Sequence, residues 1–263
     1  MLRILVTGST SSIGHHLVNK LKQCGFEVIL FGGKHSSMWR LGEKIPSNIS
    51  ADFLIHLAHD RTLSVDETVA STKAICSSFN GPKVYLSSLS AHERSISKYG
   101  KSKYESEKVF LNSESSILRA GVVYGADVTG IFGKLNNLVK LLYILPIPYR
   151  GVTLLYTTHI DDLVDEIIQQ INRPKNKIVF TANSFPLSFY ELISKIIENT
   201  GNYRVKVLLP KQPFEILIKI LSKLFPNFNL LDSLMSLSKS CSNEELSKLE
   251  HPYTQFRAFN LKY

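Results

Sequence analysis

The segment Thr7-Gly8-Ser9-Thr10-Ser11-Ser12-Ile13-Gly14, between an apolar run and a helical pattern, is the feature that most constrains the fold. Residues 3–7 form a short apolar run typical of a buried strand. The helical spacing of apolar residues over 13–24 ends at Gly25, a favourable C-terminal cap. Residues 27–31 predict a second strand. Strand, tight turn, helix and strand make a βαβ unit, whose crossover requires parallel strands.

The alternation of strand and helix continues to about residue 125. Apolar runs predict strands at 52–58, 84–88 and 116–123, and helical periodicity predicts helices at 65–79 and 97–111. Strands that alternate with helices form a parallel sheet with helices on both faces. The predicted fold class is therefore α/β, a doubly wound parallel sheet of the Rossmann type.

The pattern loosens after residue 125, where we expect a smaller, mostly helical lobe. Thr158-x-x-Asp161 and Ser188-x-x-Glu191 resemble capping boxes and predict helix starts. The expected elements are helices at 160–171 and 188–199, strands at 177–182 and 205–209, and mostly helical chain to about residue 249. We predict a core at 1–125 and a lobe at 126–263, with some segments of the lobe returning to the core.

The formal net charge of the chain is +9, which favours an anionic partner. The lysines are scattered, so we predict no nucleic-acid interface; a phosphate-rich small molecule suits the charge. No apolar stretch approaches the ~20 residues of a membrane span, and the first residues show no leader pattern, so we expect a cytoplasmic protein. Cys24, Cys76 and Cys241 are far apart and odd in number, which predicts reduced, buried thiols and neither a disulfide framework nor a zinc site.

The glycine turn has the chemistry of a dinucleotide-binding site. Gly8 permits a tight turn that a Cβ would obstruct, and Gly14 lets the helix lie close to the strand. The helix N-terminus then presents free N–H groups and the positive end of its dipole to a pyrophosphate. Ser11 stands where the motif normally has a glycine, which predicts weaker or shifted binding. The alternative interpretation is an ordinary α/β turn.

The end of the second strand bears on the choice of dinucleotide. An acidic residue there binds the ribose 2′-hydroxyl of NAD. This sequence has Gly32, Gly33, Lys34 and His35 instead. Lys34 or His35 is a candidate contact for a 2′-phosphate, which favours NADP slightly over NAD. The alternative is an exposed loop lysine in a lysine-rich chain.

Ser88, Tyr99 and Lys103 form a candidate reactive set. Tyr99 and Lys103 are four residues apart and so share one helical face. A nearby ammonium lowers the pKa of a tyrosine, and such a tyrosine exchanges protons with a substrate hydroxyl near neutral pH. Ser88 ends the preceding strand, where parallel sheets place their ligands, and its hydroxyl can orient the substrate oxygen. Tyr104 and Lys108 repeat the spacing about 140° round the helix, so both pairs cannot face one ligand.

A family resemblance is carried by the motifs TGSTSSIG, DFLIHLA, VYLSS, YGKSK and LRAGVVYG. Together they resemble the extended short-chain dehydrogenases/reductases of the NAD-dependent epimerase/dehydratase type. The likeness covers residues 1–170 well and continues loosely to about 250. Leu145-Pro-Ile-Pro and His159-Ile-Asp-Asp-Leu-Val are most similar to bacterial nucleotide-sugar 4-epimerases and 4-keto reductases of polysaccharide pathways.

The resemblance implies an NAD(P)-dependent enzyme that passes hydride between a nucleotide-activated sugar and nicotinamide. It implies that the core binds the dinucleotide, that the lobe binds the sugar, and that a homodimer through a helix pair is possible. Tyr99 would be the acid/base, and Lys103 would hold the nicotinamide ribose and lower the pKa of Tyr99. The implied cofactor contacts are Gly8, Ser11, Ser12, Ile13, Gly14, Gly32, Lys34, His35, Leu57, Ala58, Tyr99, Lys103 and Val122. The implied substrate contacts are Ser88, Ser90, Tyr99 and Arg150.

Departures from the family pattern leave other functions open. The stretch between the second predicted strand and Asp52 is short, which predicts that a strand and helix usual in the family are missing. Thr68 occupies the place of a family asparagine in the helix that follows. Leu155 falls where an arginine often grips the nucleotide diphosphate, with Arg150 as a substitute. One alternative is a dinucleotide-binding scaffold or redox sensor with little catalysis. Another is a reductase of a non-sugar carbonyl, with the apolar segment 138–148 lining its pocket.

Three further features have simple interpretations. His56 and His59 are closely spaced but lack carboxylate or thiol support, so we predict packing or solvent exposure and no metal site. Arg119 is expected to be structural, with the backbone that follows it nearer the cofactor. The amphipathic, basic run 214–224 favours core packing of the lobe over contact with an anionic membrane surface.

Overall fold

The structure of the chain, a computed structural model, describes residues 1–32, 39–125, 130–148, 154–183, 185–201 and 203–224. The strands are β1 (Arg3–Thr7), β2 (Glu27–Phe31), β3 (Phe53–His56), β4 (Lys83–Ser88), β5 (Ser115–Ala120), β6 (Val122–Tyr124), β7 (Ile144–Pro148), β8 (Leu154–Leu155), β9 (Thr157–His159), β10 (Ile178–Thr181), β11 (Leu187–Ser188) and β12 (Val205–Leu209). The helices are α1 (Ser12–Gln23), α2 (Val65–Ser77), α3 (Lys98–Leu111), α4 (Ile131–Leu141), α5 (Ile160–Asn172), α6 (Phe189–Thr200) and α7 (Lys211–Leu224).

Six parallel strands form the central sheet in the order β2-β1-β3-β4-β5-β10. The side chains of β1 alternate between its faces, as the pleat of a strand requires. Ile4 and Val6 pack with apolar residues of α1 and α5, whereas Leu5 packs on the other face with Ile75 of α2. The sheet is therefore covered on both faces, which confirms the predicted doubly wound α/β class.

A short irregular segment packs on the face of the sheet that α2 covers, at its β2 end. Trp39 is buried, its ring stacks on Phe31 with 5.6 Å between centroids, and its Nε1–H donates to the Glu43 carbonyl at 2.9 Å. Among the described residues, β2 has no neighbour on its outer side. The expectation that a strand and helix usual in the family are missing before Asp52 stays a prediction, since residues 33–38 lie outside the described residues.

One predicted strand is divided in two. Residues 116–123 were expected to form a single strand, but the chain breaks at Gly121 into β5 and β6. At the break Val122 donates its N–H to the Tyr156 carbonyl at 2.8 Å, and a Cβ on Gly121 would collide with that oxygen. Strand β6 then pairs with β9 and leaves the main sheet. The hydrogen-bonded pairing of β5 with its neighbours in the central sheet therefore stops at Ala120.

A second apolar cluster lies between α4, α6 and the short strands β6 to β8. Its buried side chains include Phe132, Leu135, Val139, Leu145 and Ile147. Helix α4 was not predicted, because its N-cap Gly130 makes no side-chain capping bond, although its apolar residues have helical spacing. The domain boundary near residue 125 stays a prediction.

Several local expectations are corrected. Thr158 does not cap α5; it accepts from the Gly121 N–H and donates to the Thr181 carbonyl, and His159 is the N-cap. The Ser188–Glu191 capping box is confirmed. Cys24 is exposed and not buried as expected, while Cys241 and residues 225–249 lie outside the described residues.

Core packing was expected for the run 214–224, but its Ile216 and Ile220 are exposed. Within the described part of the chain, none of the helices combines the length and the apolar character that crossing a membrane requires.

Candidate functional site

Two neighbouring cavities open at the carboxyl ends of the central strands. The first, here the inner cavity, measures about 180 Å³ and holds Ser88 and Tyr99. Its described lining residues are Ser12, Ile13, Arg61, Ser88, Leu89, Ser90, Tyr99, Ala120, Gly121, Val122, Val123, Gly130, Ile131, Leu155 and Tyr156. Parallel α/β sheets bind their ligands at this end of the strands.

The second cavity, here the outer cleft, measures about 710 Å³ and runs along the glycine turn. Its described lining residues are Gly8, Thr10, Ser11, Gly32, Trp39, Arg40, Leu41, Leu57, Ala58, His59, Asp60 and Arg61. Arg61 lines both cavities, so the two are adjacent. The pair has room for an elongated ligand with one end in each cavity.

The turn between β1 and α1 has the close packing that its glycines predict. Gly8 has a φ of +70°, and a Cβ there would lie 2.7 Å from the Ala58 nitrogen. A Cβ on Gly14 would collide with the Gly8 carbonyl oxygen. Ser11 is the N-cap of α1: its Oγ accepts from the Gly14 N–H at 3.0 Å and donates to the Gly8 carbonyl at 2.9 Å. The serine therefore uses one N–H that a glycine would leave free.

Tyr99 reaches the inner cavity because α3 begins close to the end of β4. Ser97 caps the helix by accepting from the Gly100 N–H at 2.9 Å. A Cβ on Gly100 would overlap the Ser90 carbonyl oxygen, so glycine lets the first turn of α3 lie directly against the chain after β4. The result is that Ser88 and Tyr99, from different elements, line one cavity.

Lys103 lies buried behind Tyr99. Its Nζ donates to the Leu86 carbonyl at 2.7 Å, and lies 4.7 Å from the ring centroid of Tyr85 and 5.9 Å from that of Tyr99. Burial lowers its pKa to about 7, with a smaller lowering by Arg61, and Glu107 opposes the shift. Near neutral pH Lys103 is therefore only partly protonated in the chain without ligand.

The serines after β4 form a local network. The Oγ atoms of Ser88 and Ser90 are 3.0 Å apart, and the Ser90 N–H donates to Ser88 Oγ at 3.2 Å. Ser90 is buried and Ser88 is partly exposed to the cavity. The bonds hold the Ser88 hydroxyl at the end of the strand, where it can still bond to a ligand oxygen.

His56, at the end of β3, and His59, just after it, pack against this region and stay neutral. His56 is buried with its Nδ1 2.7 Å from Thr7 Oγ1, and burial and then Lys103 lower its pKa to about 3. The His59 ring meets the Tyr99 ring edge-on, with 5.0 Å between centroids. Burial, followed by Lys103 and Arg61, holds the pKa of His59 well below its usual value. Among the described residues, no three His, Cys, Asp or Glu side chains are grouped closely enough to hold a metal ion.

A buried ion pair joins the central sheet to α3, the helix that carries Tyr99. Arg119 binds Glu107 through two bonds of 2.8 and 2.6 Å, and Ser87 donates to Glu107 at 2.5 Å. The pair ties β4 and β5 to α3, which carries Tyr99. The expectation that Arg119 is structural is confirmed, and Gly121 and Val122 line the inner cavity.

The sequence-predicted cofactor residues divide between the two cavities. Those on the outer cleft are Gly8, Ser11, Gly32, Leu57 and Ala58, and those on the inner cavity are Ser12, Ile13, Tyr99 and Val122. Gly14 and Lys103 lie behind these surfaces. Ser88 and Ser90 share the inner cavity with Tyr99. Lys34, His35 and Arg150 lie outside the described residues, and the roles of all these residues stay predictions.

Some lining residues were missed by the sequence analysis. Arg61, Trp39, Arg40 and Tyr156 were not singled out, although Arg61 follows β3 closely and a cation at that end of a strand is a usable signal. The segment 138–148 was expected to line the pocket of a non-sugar reductase. None of its described residues does so, because Val139, Leu145 and Ile147 are buried in the lobe.

The outer cleft fits a ligand that carries a pyrophosphate. Helix α1 points its N-terminus at the turn, and its first turn contains no acidic residue. Arg40 and Arg61 add two guanidinium groups to the cleft, and Asp60 is its one carboxylate among the described lining residues. The N-terminus of a helix, with its dipole, and arginine side chains all favour phosphate oxygens.

In its fold the chain matches solved structures of the extended short-chain dehydrogenase/reductase type. Three solved structures illustrate it. They are a dTDP-4-dehydrorhamnose reductase from Bacillus anthracis str. Ames in complex with NADP (TM-score 0.68, 16% identity, 81% of this chain and 87% of that one), a dTDP-glucose 4,6-dehydratase from the same organism in complex with NAD (0.64, 14%, 80% and 85%), and a UDP-glucose 4-epimerase from Thermotoga maritima with UDP-glucose (0.62, 19%, 80% and 87%). No known family model and no curated protein matches the sequence.

Proposed function

We propose that the chain is an NAD(P)-dependent enzyme acting on a nucleotide-activated sugar, as a 4-epimerase or a 4-keto reductase. The observation that carries the proposal is the placement of Ser88 and Tyr99 in one cavity, with Lys103 behind Tyr99 and the outer cleft adjacent. Solved enzymes of the same fold act on nucleotide sugars with NAD or NADP, which supports this substrate class.

In this proposal Tyr99 exchanges the proton of the reacting sugar oxygen. Its phenol gives a proton to a carbonyl oxygen as the alcohol forms, and its phenolate takes the proton back in the reverse direction. Ser88 donates a hydrogen bond that holds the same oxygen. Lys103 stabilises the phenolate while its ammonium is protonated. When bound, the nicotinamide supplies and accepts the hydride.

The residues of the outer cleft would hold the dinucleotide. Gly8, Ser11 and the start of α1 face its pyrophosphate, and Leu57 and Ala58 line the cleft beside Gly8. The NADP preference rests on Lys34 and His35 and stays a prediction.

The first test replaces Tyr99 with Phe. We expect turnover to fall by roughly 10²- to 10⁴-fold, the usual contribution of a positioned acid/base, while dinucleotide binding is retained. Tyr104→Phe is a matched control, because Tyr104 and Lys108 repeat the motif on the same helix and line neither cavity. Equal turnover in the parent and Tyr99→Phe would exclude Tyr99 as the acid/base.

The dinucleotide is identified by denaturing the purified protein and analysing the released ligand by mass spectrometry. Recovered NAD in near-equal amount supports an epimerase, which returns its hydride in each cycle. An empty protein that binds NADPH better than NADH supports a reductase. A protein that binds either dinucleotide but turns over no substrate supports the scaffold or sensor alternative.

A second candidate, a reductase of an apolar carbonyl compound, is favoured by the lining of the inner cavity. Leu89, Val122, Ile131 and Leu155 are among its apolar residues, and Arg61 is the single charged residue among those described there. A cavity of this kind binds an apolar body with one polar group. Turnover of hydrophobic ketones and not of 4-keto nucleotide sugars would select this candidate.

A further inference from the structure

Arg61 lines the inner cavity, the outer cleft and a third, small pocket. It belongs to the loop between β3 and α2, and its guanidinium carbon is 4.7 Å from the centroid of the Tyr99 ring. That distance is typical of a cation–π contact, in which the ring face attracts the cation. Arg61 therefore contacts the side chain that the proposed function makes its acid/base.

The loop that carries Arg61 is held by hydrogen bonds within the loop and by hydrogen bonds from α3. The carboxylate of Asp60 accepts from the N–H and the hydroxyl of Thr62, at 2.8 and 2.7 Å. Lys98, next to Tyr99 on α3, donates from Nζ to the Thr62 carbonyl at 3.1 Å and to the Arg61 carbonyl at 3.4 Å. The backbone of Arg61 is thus bonded to the helix that carries Tyr99.

The groups around Tyr99 differ in how reliably they are charged. His59, edge-on to the ring, is neutral, and the buried Lys103 is partly protonated near neutral pH. On α3, Lys98 and Lys103 are the cations near the ring, and Glu107 raises the pKa of Lys103. Asp60 is the nearby carboxylate. Tyr85 on β4 and His56 on β3 are the other titratable groups of this region. A guanidinium stays charged at every pH at which the protein is folded.

We propose that Arg61 is a positioning residue for Tyr99: its guanidinium orients the ring and, together with Lys103, stabilises the phenolate. The proposal rests on the proposed function. A cation within about 4–6 Å favours the charged form of an ionisable group and so lowers the pKa of a phenol. Arg61 thereby keeps Tyr99 ready to exchange a proton at pH values where the charge of Lys103 is already falling.

The test is a pH titration of tyrosinate ultraviolet absorbance on the full chain without dinucleotide. The chain has 11 tyrosines, and Tyr99 is expected to ionise before the others, so Tyr99→Phe identifies its component by removing it. In Arg61→Gln the midpoint of that component should rise by about one pH unit. Lys101→Gln, which removes an exposed cation from the same helix, should leave the midpoint unchanged.

An unchanged midpoint in folded Arg61→Gln, an equal shift in Lys101→Gln, or no early component in the parent would each overturn the proposal. If the Arg61→Gln variant does not fold, Arg61→Met takes its place in the titration. Binding of NADH and NADPH is measured separately on the parent: absence of binding removes the proposed function, whereas an unmoved midpoint with intact binding removes only the role of Arg61.

Discussion

Lys103 shows how burial changes the chemistry of a single residue. Exposed, its ammonium would be charged throughout the neutral range; buried among Tyr85, Leu86 and Tyr99 it has a pKa of about 7. An ammonium that releases its proton near neutral pH can respond to the charge state of its neighbour. The same burial makes the stability of the chain depend on pH.

Replacing Lys103 with Met should remove that dependence. Between about pH 7 and pH 10 Lys103 is neutral in the folded chain and charged in the unfolded chain, so the unfolded state binds more protons. Raising the pH therefore disfavours unfolding, by up to roughly 1.4 kcal/mol per pH unit. Lys103→Met lacks this contribution, so its stability relative to the parent should be highest near pH 7 and fall as the pH rises. Parallel denaturation curves in urea at pH 7, 8 and 9 measure the difference. A constant difference over that range would mean that Lys103 keeps an ordinary pKa.

At the scale of elements, the N-cap of α1 explains why a serine can stand where the glycine motif normally has a glycine. Ser11 replaces a glycine, which from sequence alone predicts weaker or shifted phosphate binding. In the structure Ser11 caps α1 by accepting the Gly14 N–H. The cap stabilises the helix and removes that N–H from the groups that could bind a phosphate. Ser64 caps α2 in the same way, away from both cavities.

Substitutions at Ser11 should separate these two effects. Ser11→Ala is expected to lower the free energy of unfolding by about 1 kcal/mol, and Ser11→Gly by only a few tenths. Because Ser11→Gly frees the Gly14 N–H, we expect it to bind dinucleotide roughly threefold to tenfold more tightly, the effect of about one net hydrogen bond. Ser64→Ala should cost similar stability and leave binding unchanged. Calorimetric titration with NADPH measures the affinity, and weaker binding by Ser11→Gly would show that the serine itself contacts the ligand.

At the scale of the whole molecule, the outer cleft exists only when distant parts of the chain are folded together. Its walls come from the β1–α1 turn, the segment 39–41 and the chain after β3. A ligand that bridges these parts binds the folded state and not the unfolded one. Ligand binding and global stability are therefore linked.

NADPH or NADH at about 100 times its Kd should raise the free energy of unfolding by about 2.7 kcal/mol. Thermal unfolding with each dinucleotide at equal concentration shows which one is preferred. Inorganic phosphate at the same ionic strength is the control for a general anion effect on this basic chain. A rise in phosphate equal to that in dinucleotide would argue against a built dinucleotide site.

The sequence by itself determined the alternation of strands and helices, the glycine turn after β1 and the placement of Tyr99 and Lys103 on one helical face. These features depend on residues close together in the chain, where periodicity and glycine act directly. Only the tertiary structure decided that Gly121 meets Tyr156 and splits a strand, that Trp39 stacks on Phe31, that β10 joins β5, and that Arg61 contacts Tyr99. Each of these joins residues far apart in sequence or depends on how two surfaces pack, and no local pattern contains that information.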